Sequence, residues 1–161
     1  MRKTTGILIL TTFVLFFKPS DLSAQGNAPD DIVGYYYYFE PKEKEYSQVE
    51  IYKSGDKYKG RVVWLKNPYN AEGKPKTDVY NKDKSKNNRP ITGLEIFEGL
   101  TYNEKKKRWE GKIYDPANGD SFNCVIWFHS DKILKIKGFV ASEWMGLNRT
   151  IEWIKEPYKR N

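Results

Sequence analysis

Histidine, cysteine, serine and paired carboxylates supply most hydrolytic and metal chemistry, and this chain has one histidine and one cysteine among its 161 residues. His129 stands in a His-Ser-Asp run between two apolar-rich segments. A triad is assembled by convergence in space around an activated nucleophile, and no Gly-x-Ser-x-Gly elbow is present, so His129 reads as a surface turn residue. One histidine and one cysteine supply neither a transition-metal ligand set nor a Cys/His nucleophile pair. Cys124 alternates with Phe122, Ile126 and Phe128, the pattern of a small buried hydrophobe on one apolar strand face. No intramolecular disulfide can form from a lone cysteine. The expectation is no catalytic group, no metal and no cofactor.

Carboxylates offer the remaining route to catalysis, because Glu110, Asp115, Asp78 and Asp83 could pair as in glycosidases, with aromatic rings stacking sugars. Strand parity points Glu110 away from Trp109 and Ile113, hence outward. Asp115 precedes Pro116 in a turn, where such a side chain caps local backbone groups. Arg89 is the sharper candidate. It closes a long polar stretch just ahead of a strand, where its guanidinium could pair with Asp115 or clamp a ligand carboxylate; the structural pair is preferred. For a ligand clamp, the lining aromatics would be Tyr36, Tyr38, Trp64 and Trp127.

These side chains must be positioned by strands. Aromatics make up 16% of the chain, with twelve Tyr and five Trp, and they fall in runs that alternate at period two. About eight such runs follow Pro29: 32–39, 46–53, 58–66, 91–100, 108–114, 121–128, 133–140 and 149–154. Turns at 103–107, 115–120 and 129–132 are too short for parallel crossovers, so neighbouring strands are antiparallel. A meander of about eight strands loses its open edges by closing, which gives an interior nearly filled by side chains or able to hold one small ligand. The expected fold is therefore all-β, an antiparallel up-and-down barrel spanning 30–156, interrupted by a polar basic loop at 67–90. Alternation assigns Val49, Ile51, Val62, Trp64, Trp109, Ile113, Leu134, Ile136 and Val140 to the inner face. Gly60, Gly111 and Gly138 share that parity, as sharp bends or close packing in a small barrel require.

At the N-terminus, Arg2 and Lys3 precede an apolar run from Gly6 to Phe17 that is too short to span a bilayer. Residues 1–24 read as a signal peptide with cleavage between 24 and 28, which places the protein in the periplasm or outside the cell. No further apolar stretch is long enough for a transmembrane helix. The chain has 28 basic and 21 acidic residues; losing Arg2, Lys3, Lys18 and Asp21 leaves a net charge of +5. That excess concentrates between Lys74 and Arg89. Nucleic acid is an improbable partner for an exported protein, so the loop reads as a solvated face able to touch anionic lipid or polysaccharide.

Arg89-Pro90-Ile91-Thr92-Gly93, followed by Gly111, Tyr114-Asp115-Pro116, Gly119 and Gly138, together resemble the bacterial exported family of domain of unknown function 2147, over roughly residues 32–155. The resemblance implies a lipocalin-like (calycin-like) barrel and brings no particular activity. Asp78-Val79-Tyr80-Asn81-Lys82-Asp83 is similar to the acidic, asparagine-bearing loop of that family, with Lys82 in place of its proline. The loop lacks the glycine and bidentate glutamate of an EF-hand. Gly34-Tyr35-Tyr36 resembles the Gly-x-Trp opening of lipocalins, and Trp153-Ile154-Lys155 their closing Trp-x-Arg, which implies that Lys155 covers Tyr36 at the closed end. The functional expectation is a non-enzymatic binding module for an apolar or amphipathic small molecule. The alternatives are an envelope interaction protein with a packed barrel and, more weakly, a carbohydrate-active enzyme.

Overall fold

A computed structural model describes residues 28–41, 44–144 and 148–161; the signal peptide expected over 1–24 lies outside the described residues. Eight strands follow a short 3-10 turn at Pro29–Ile32: β1 Gly34–Glu40, β2 Glu45–Ser54, β3 Lys57–Leu65, β4 Glu95–Asn103, β5 Arg108–Asp115, β6 Asp120–Ser130, β7 Ile133–Phe139 and β8 Asn148–Glu156. Each pairs antiparallel with the next, and β8 returns to β1, closing an up-and-down barrel. A second short 3-10 turn, Lys84–Lys86, lies in the long loop between β3 and β4. The tight turns at 115–120 and 103–108 follow from Gly119 (φ +73°) and Lys107 (φ +50°), left-handed positions that reverse the chain within a few residues.

The apolar alternation becomes a core at one end of the barrel. Phe97, Leu100, Trp109, Ile126, Leu134 and Ile51 are fully buried there. Two glycines make this packing possible, because a Cβ on Gly60 would lie 2.5 Å from the Phe97 ring and one on Gly111 would lie 2.8 Å from Leu100 Cδ2. The N-terminal turn caps the same end: Ile32 is buried, Tyr36 donates its hydroxyl hydrogen to the Ile32 carbonyl at 2.8 Å, and Trp109 Nε1 donates to the Pro29 carbonyl at 3.0 Å. Lys155 Nζ crosses over Tyr36 and Phe128, 5.9 and 5.3 Å from the ring centroids, and donates to the Asp31 carbonyl at 2.7 Å. A lysine thus holds the closed end by a directed hydrogen bond as well as by its charge over the rings.

Three expectations about strands need correction. Strand β4 begins at Glu95, four residues later than the alternation suggests, because Ile91–Leu94 turn over β3, with Gly93 (φ +94°) donating to the Val62 carbonyl at 2.7 Å. Trp64 faces outward. Val49 pairs with Val62 and Gln48 with Trp64, so Val63 is an extra residue that inverts the parity of the strand beyond it. Leu65 then takes the inward place assigned to Trp64. Val140 lies past the end of β7 and is 51% exposed, at the rim of the barrel.

The ladder that closes the barrel is short, with three register pairs between β1 and β8. Residues 157–161 cross it on the outside. Gln48 donates to Glu156 at 2.7 Å and to the Tyr158 carbonyl at 2.8 Å, and accepts from Arg160 N at 2.8 Å. Arg160 lies 4.0 Å over Tyr37 and 5.2 Å over Trp64 and is paired with Glu156. Trp64 Nε1 completes the strap by donating to the Asn161 carbonyl at 2.9 Å. Gln48, a polar residue on a strand, is fully buried because the tail satisfies its amide.

Candidate functional site

At the end opposite the packed core, the described residues leave the barrel open. A cavity of about 710 Å³ enters it, with Trp153 at the floor and Val49, Val62, Ile96, Ile136 and Ile151 among its walls. The Trp153 ring packs against Tyr36, Tyr38 and Phe97 at centroid distances of 6.4, 5.9 and 5.5 Å, and so divides the packed half of the interior from the open half. Gly138 also lines the cavity. Its Cβ position has Phe122 Cβ as nearest neighbour at 3.8 Å, so this glycine leaves space where Gly60 and Gly111 relieve crowding.

The long loop seats itself across the mouth by a polar clasp. Asp78 is fully buried, and its carboxylate accepts from Tyr114 Oη at 2.6 Å, Asn81 Nδ2 at 2.7 Å and Arg89 at 2.8 Å. Asn81 also reaches Tyr114 Oη at 2.9 Å. Burial alone would raise the Asp78 pKa, but hydrogen bonds from Tyr114, Arg89 and Asn81 outweigh it and hold the carboxyl below its ordinary value. Tyr114 moves the other way, pushed up to about 12 by burial and by its bond to Asp78. Backbone pairing from Asp78 N to the Arg89 carbonyl at 2.9 Å and a bridge between Thr77 and Pro90 bring the two ends of the loop together. The β5–β6 turn supports the clasp from outside: a Cβ on Gly119 would lie 1.9 Å from the Tyr80 carbonyl oxygen, so only glycine permits this approach.

Polar groups gather at the cavity mouth. Tyr38 donates to Glu40 at 2.7 Å, and Arg149 approaches Glu40 at 3.5 Å and Tyr38 Oη at 3.3 Å. Glu45 accepts from Lys76 at 2.5 Å and from the Tyr46 and Asn67 backbones at 3.0 and 3.1 Å. Burial opposes ionisation of Glu45, yet Lys76 and these backbone donors keep its pKa below the usual value. The basic loop is largely neutralised: Lys74 pairs with Glu72, Lys76 with Glu45, Lys82 with Asp120, Lys86 with Asp83 and Arg89 with Asp78.

Residues of the clasp come from 78–90 and 111–119, the same segments that carry the family resemblance. The family model described as an uncharacterized protein conserved in bacteria (DUF2147) matches residues 36–155. The chain belongs to this family. One solved structure, protein HP1028 from the human pathogen Helicobacter pylori, described as belonging to the lipocalin family, is similar in fold. It aligns with a TM-score of 0.62 at 20% identity, covering 77% of this chain and 82% of that one. No curated protein matches the chain.

In this DUF2147 chain the suggested ligand aromatics disperse. Of Tyr36, Tyr38, Trp64 and Trp127, Tyr38 alone borders the cavity. Tyr36 is sealed into the closed end beneath Lys155, Trp64 is turned outward by the bulge, and Trp127 lies opposite Lys135 on the outer face, between the inward positions Ile126 and Phe128. Arg89 does not line the cavity, and its carboxylate partner is Asp78, not Asp115. Asp115 accepts from Ala117 N at 3.0 Å and Asn118 Nδ2 at 2.9 Å, the local cap its position before proline suggests. Glu110, the glycosidase candidate, is paired with Arg108 at 2.8 Å. Of the motif positions, Pro90 and Gly93 turn the loop into β4, Tyr114 and Gly119 carry the clasp, and Pro116, Gly138 and Trp153 line the cavity. Gly34 (φ +146°) abuts the Lys155 stem. Sequence reasoning missed Glu40, Glu45, Lys76 and Arg149 at the mouth; the one signal was two carboxylates flanking the β1–β2 turn.

Proposed function

We propose that this protein is an exported, non-enzymatic binding module that takes an apolar or amphipathic small molecule into the open half of its barrel. The cavity carries this reading: it is of the size that holds one small ligand, walled by aliphatic and aromatic side chains, with its polar groups confined to the mouth. The polar clusters near it are engaged in structural work, Asp78 with Tyr114, Asn81 and Arg89, and Glu45 with Lys76, which favours binding over turnover. Native mass spectrometry of protein purified from its own host tests the proposal. A retained adduct of lipid-like mass, and uptake of a neutral naphthylamine dye after delipidation, are expected; a clean apo mass with no dye uptake would overturn it.

The envelope interaction reading draws on Val79 and Tyr80, exposed at 54% and 56% on the long loop. It is less favoured because most cations of that loop are already paired within the molecule. Salt-sensitive binding to envelope fractions would be its signature.

A further inference from the structure

The charge arrangement at the mouth carries a statement about the head group of the ligand, and it rests on the binding-module reading above. Five charged side chains border the cavity: Glu40, Glu45, Lys76, Asp115 and Arg149. Glu40 and Glu45 are direct partners across the end of the β1–β2 hairpin, with side chains only 18% and 10% exposed. Like charges so placed repel unless compensated, and each has been given a cation from elsewhere in the chain, Arg149 at 3.5 Å and Lys76 at 2.5 Å. Asp115 is held by its own turn. Both cations are therefore paired, and among the described residues that border the cavity three carboxylates stand against two cations.

An anionic head would lose water beside three carboxylates. Arg149 and Lys76 are each already engaged with a poorly exposed carboxylate, so an anion recruited by either shares its cation with Glu40 or Glu45. A hydroxyl or amide head brings no charge, and because a carboxylate oxygen accepts more than one hydrogen bond, Glu40 or Asp115 can receive it alongside their existing partners, with Tyr38, Asn118 and Asn148 bordering the same opening. We infer that the cavity selects amphiphiles whose head is uncharged and donates hydrogen bonds, and discriminates against the anionic head of a fatty acid.

Two ligands with the same twelve-carbon chain separate the possibilities. Delipidated protein loaded with N-phenyl-1-naphthylamine is titrated with monolauroylglycerol or laurate near neutral pH, where the carboxylates are ionised. Monolauroylglycerol is expected to displace the dye at a concentration about tenfold lower than laurate does. Glu40→Gln, which releases Arg149 from its counter-charge, is expected to improve laurate and so to narrow the ratio between the two displacing concentrations. Laurate equal to or better than monolauroylglycerol on the unaltered protein would overturn the inference, as would a laurate deficit unchanged in Glu40→Gln. Dye uptake combined with a laurate preference sinks the selectivity alone; absence of dye uptake sinks the binding module itself.

Discussion

Asp78 organises the long loop more than Arg89 does. Arg89 contributes one N–H···O contact from a half-exposed side chain, whereas Tyr114 and Asn81 depend on the buried Asp78 carboxylate as acceptor. Arg89→Lys keeps the charge and should cost less than about 1 kcal/mol, while Asp78→Ala leaves two polar groups without their acceptor and should cost about 1–3 kcal/mol in urea unfolding. The acid response has a definite sign. Because the folded pKa of Asp78 is lowered, its stabilisation is present above the unfolded value of about 3.9 and is lost as pH falls through the lower folded value. Neutral-pH stability should thus lose the Asp78 contribution only in strong acid, and Asp78→Ala should flatten that limb of the profile. Cys124 makes a second residue-level case. It is 1% exposed with burial pushing its thiol up to about 12, so native protein should resist thiol reagents, and Cys124→Ser should cost about 1–3 kcal/mol through a buried hydroxyl. Rapid native-state labelling would contradict both statements. At this scale the pairing of Arg89 within the fold was legible, because an arginine closing a loop needs an anion, but the choice between Asp78 and Asp115 was not. Asp78 lies eleven residues from Arg89 in sequence, and only the folded loop brings the two together.

At the scale of elements, the three inward glycines do different work. Gly111→Ala would set a methyl 2.8 Å from Leu100 Cδ2 and 3.2 Å from its Cα, and backbone cannot give as a side chain can. That overpacking should cost about 1–3 kcal/mol. Gly138→Ala meets nothing closer than 3.8 Å and should be neutral or gain about 0.4–1 kcal/mol from reduced unfolded-state entropy. Thermal melts of the two variants should shift in opposite directions or differ clearly; equal destabilisation would show that the cavity beside Gly138 is closed. Strand identity was legible where apolar and basic side chains alternate, as at 134–137, and where aromatic strand formers run together, as at 35–39. The face of Trp64 was not, since an extra residue such as Val63 leaves no mark in a pattern of apolar side chains, and one residue inverts everything beyond it. The late start of β4 has a similar cause: Ile91 and Leu94 are apolar because they pack against the core without being paired in the strand, so apolar spacing extended the strand too far.

At the scale of the whole molecule, closure of the meander followed from the cost of open edges, and the structure adds that the interior is divided. One part is packed on glycine and the other opens above Trp153, a division that depends on side-chain volumes meeting across strands and so cannot be read along any single one. A ligand that occupies the open part stabilises the fold by mass action, about 2.7 kcal/mol at a hundredfold excess over Kd. A saturating neutral amphiphile should therefore raise the melting temperature by several degrees, and Gly138→Phe, which fills the same space, should abolish most of that rise. Full retention of the rise would place the ligand elsewhere.

The barrel has a zip. Where seven ladders join strands that follow one another in sequence, the eighth joins the first strand to the last through three pairs, and the segments drawn together there are the most distant in sequence. Such a join is expected to form last and part first, since long-range closure carries the largest loop entropy and the ladder that offsets it is short. The strap of residues 157–161 acts as its stitch. Amides of Tyr35 to Tyr37 should exchange with solvent sooner than those of β6, and removal of 157–161 should hasten them further while leaving β6 protected. The route by which this barrel breathes would then run along its side, at the seam, and not through its mouth.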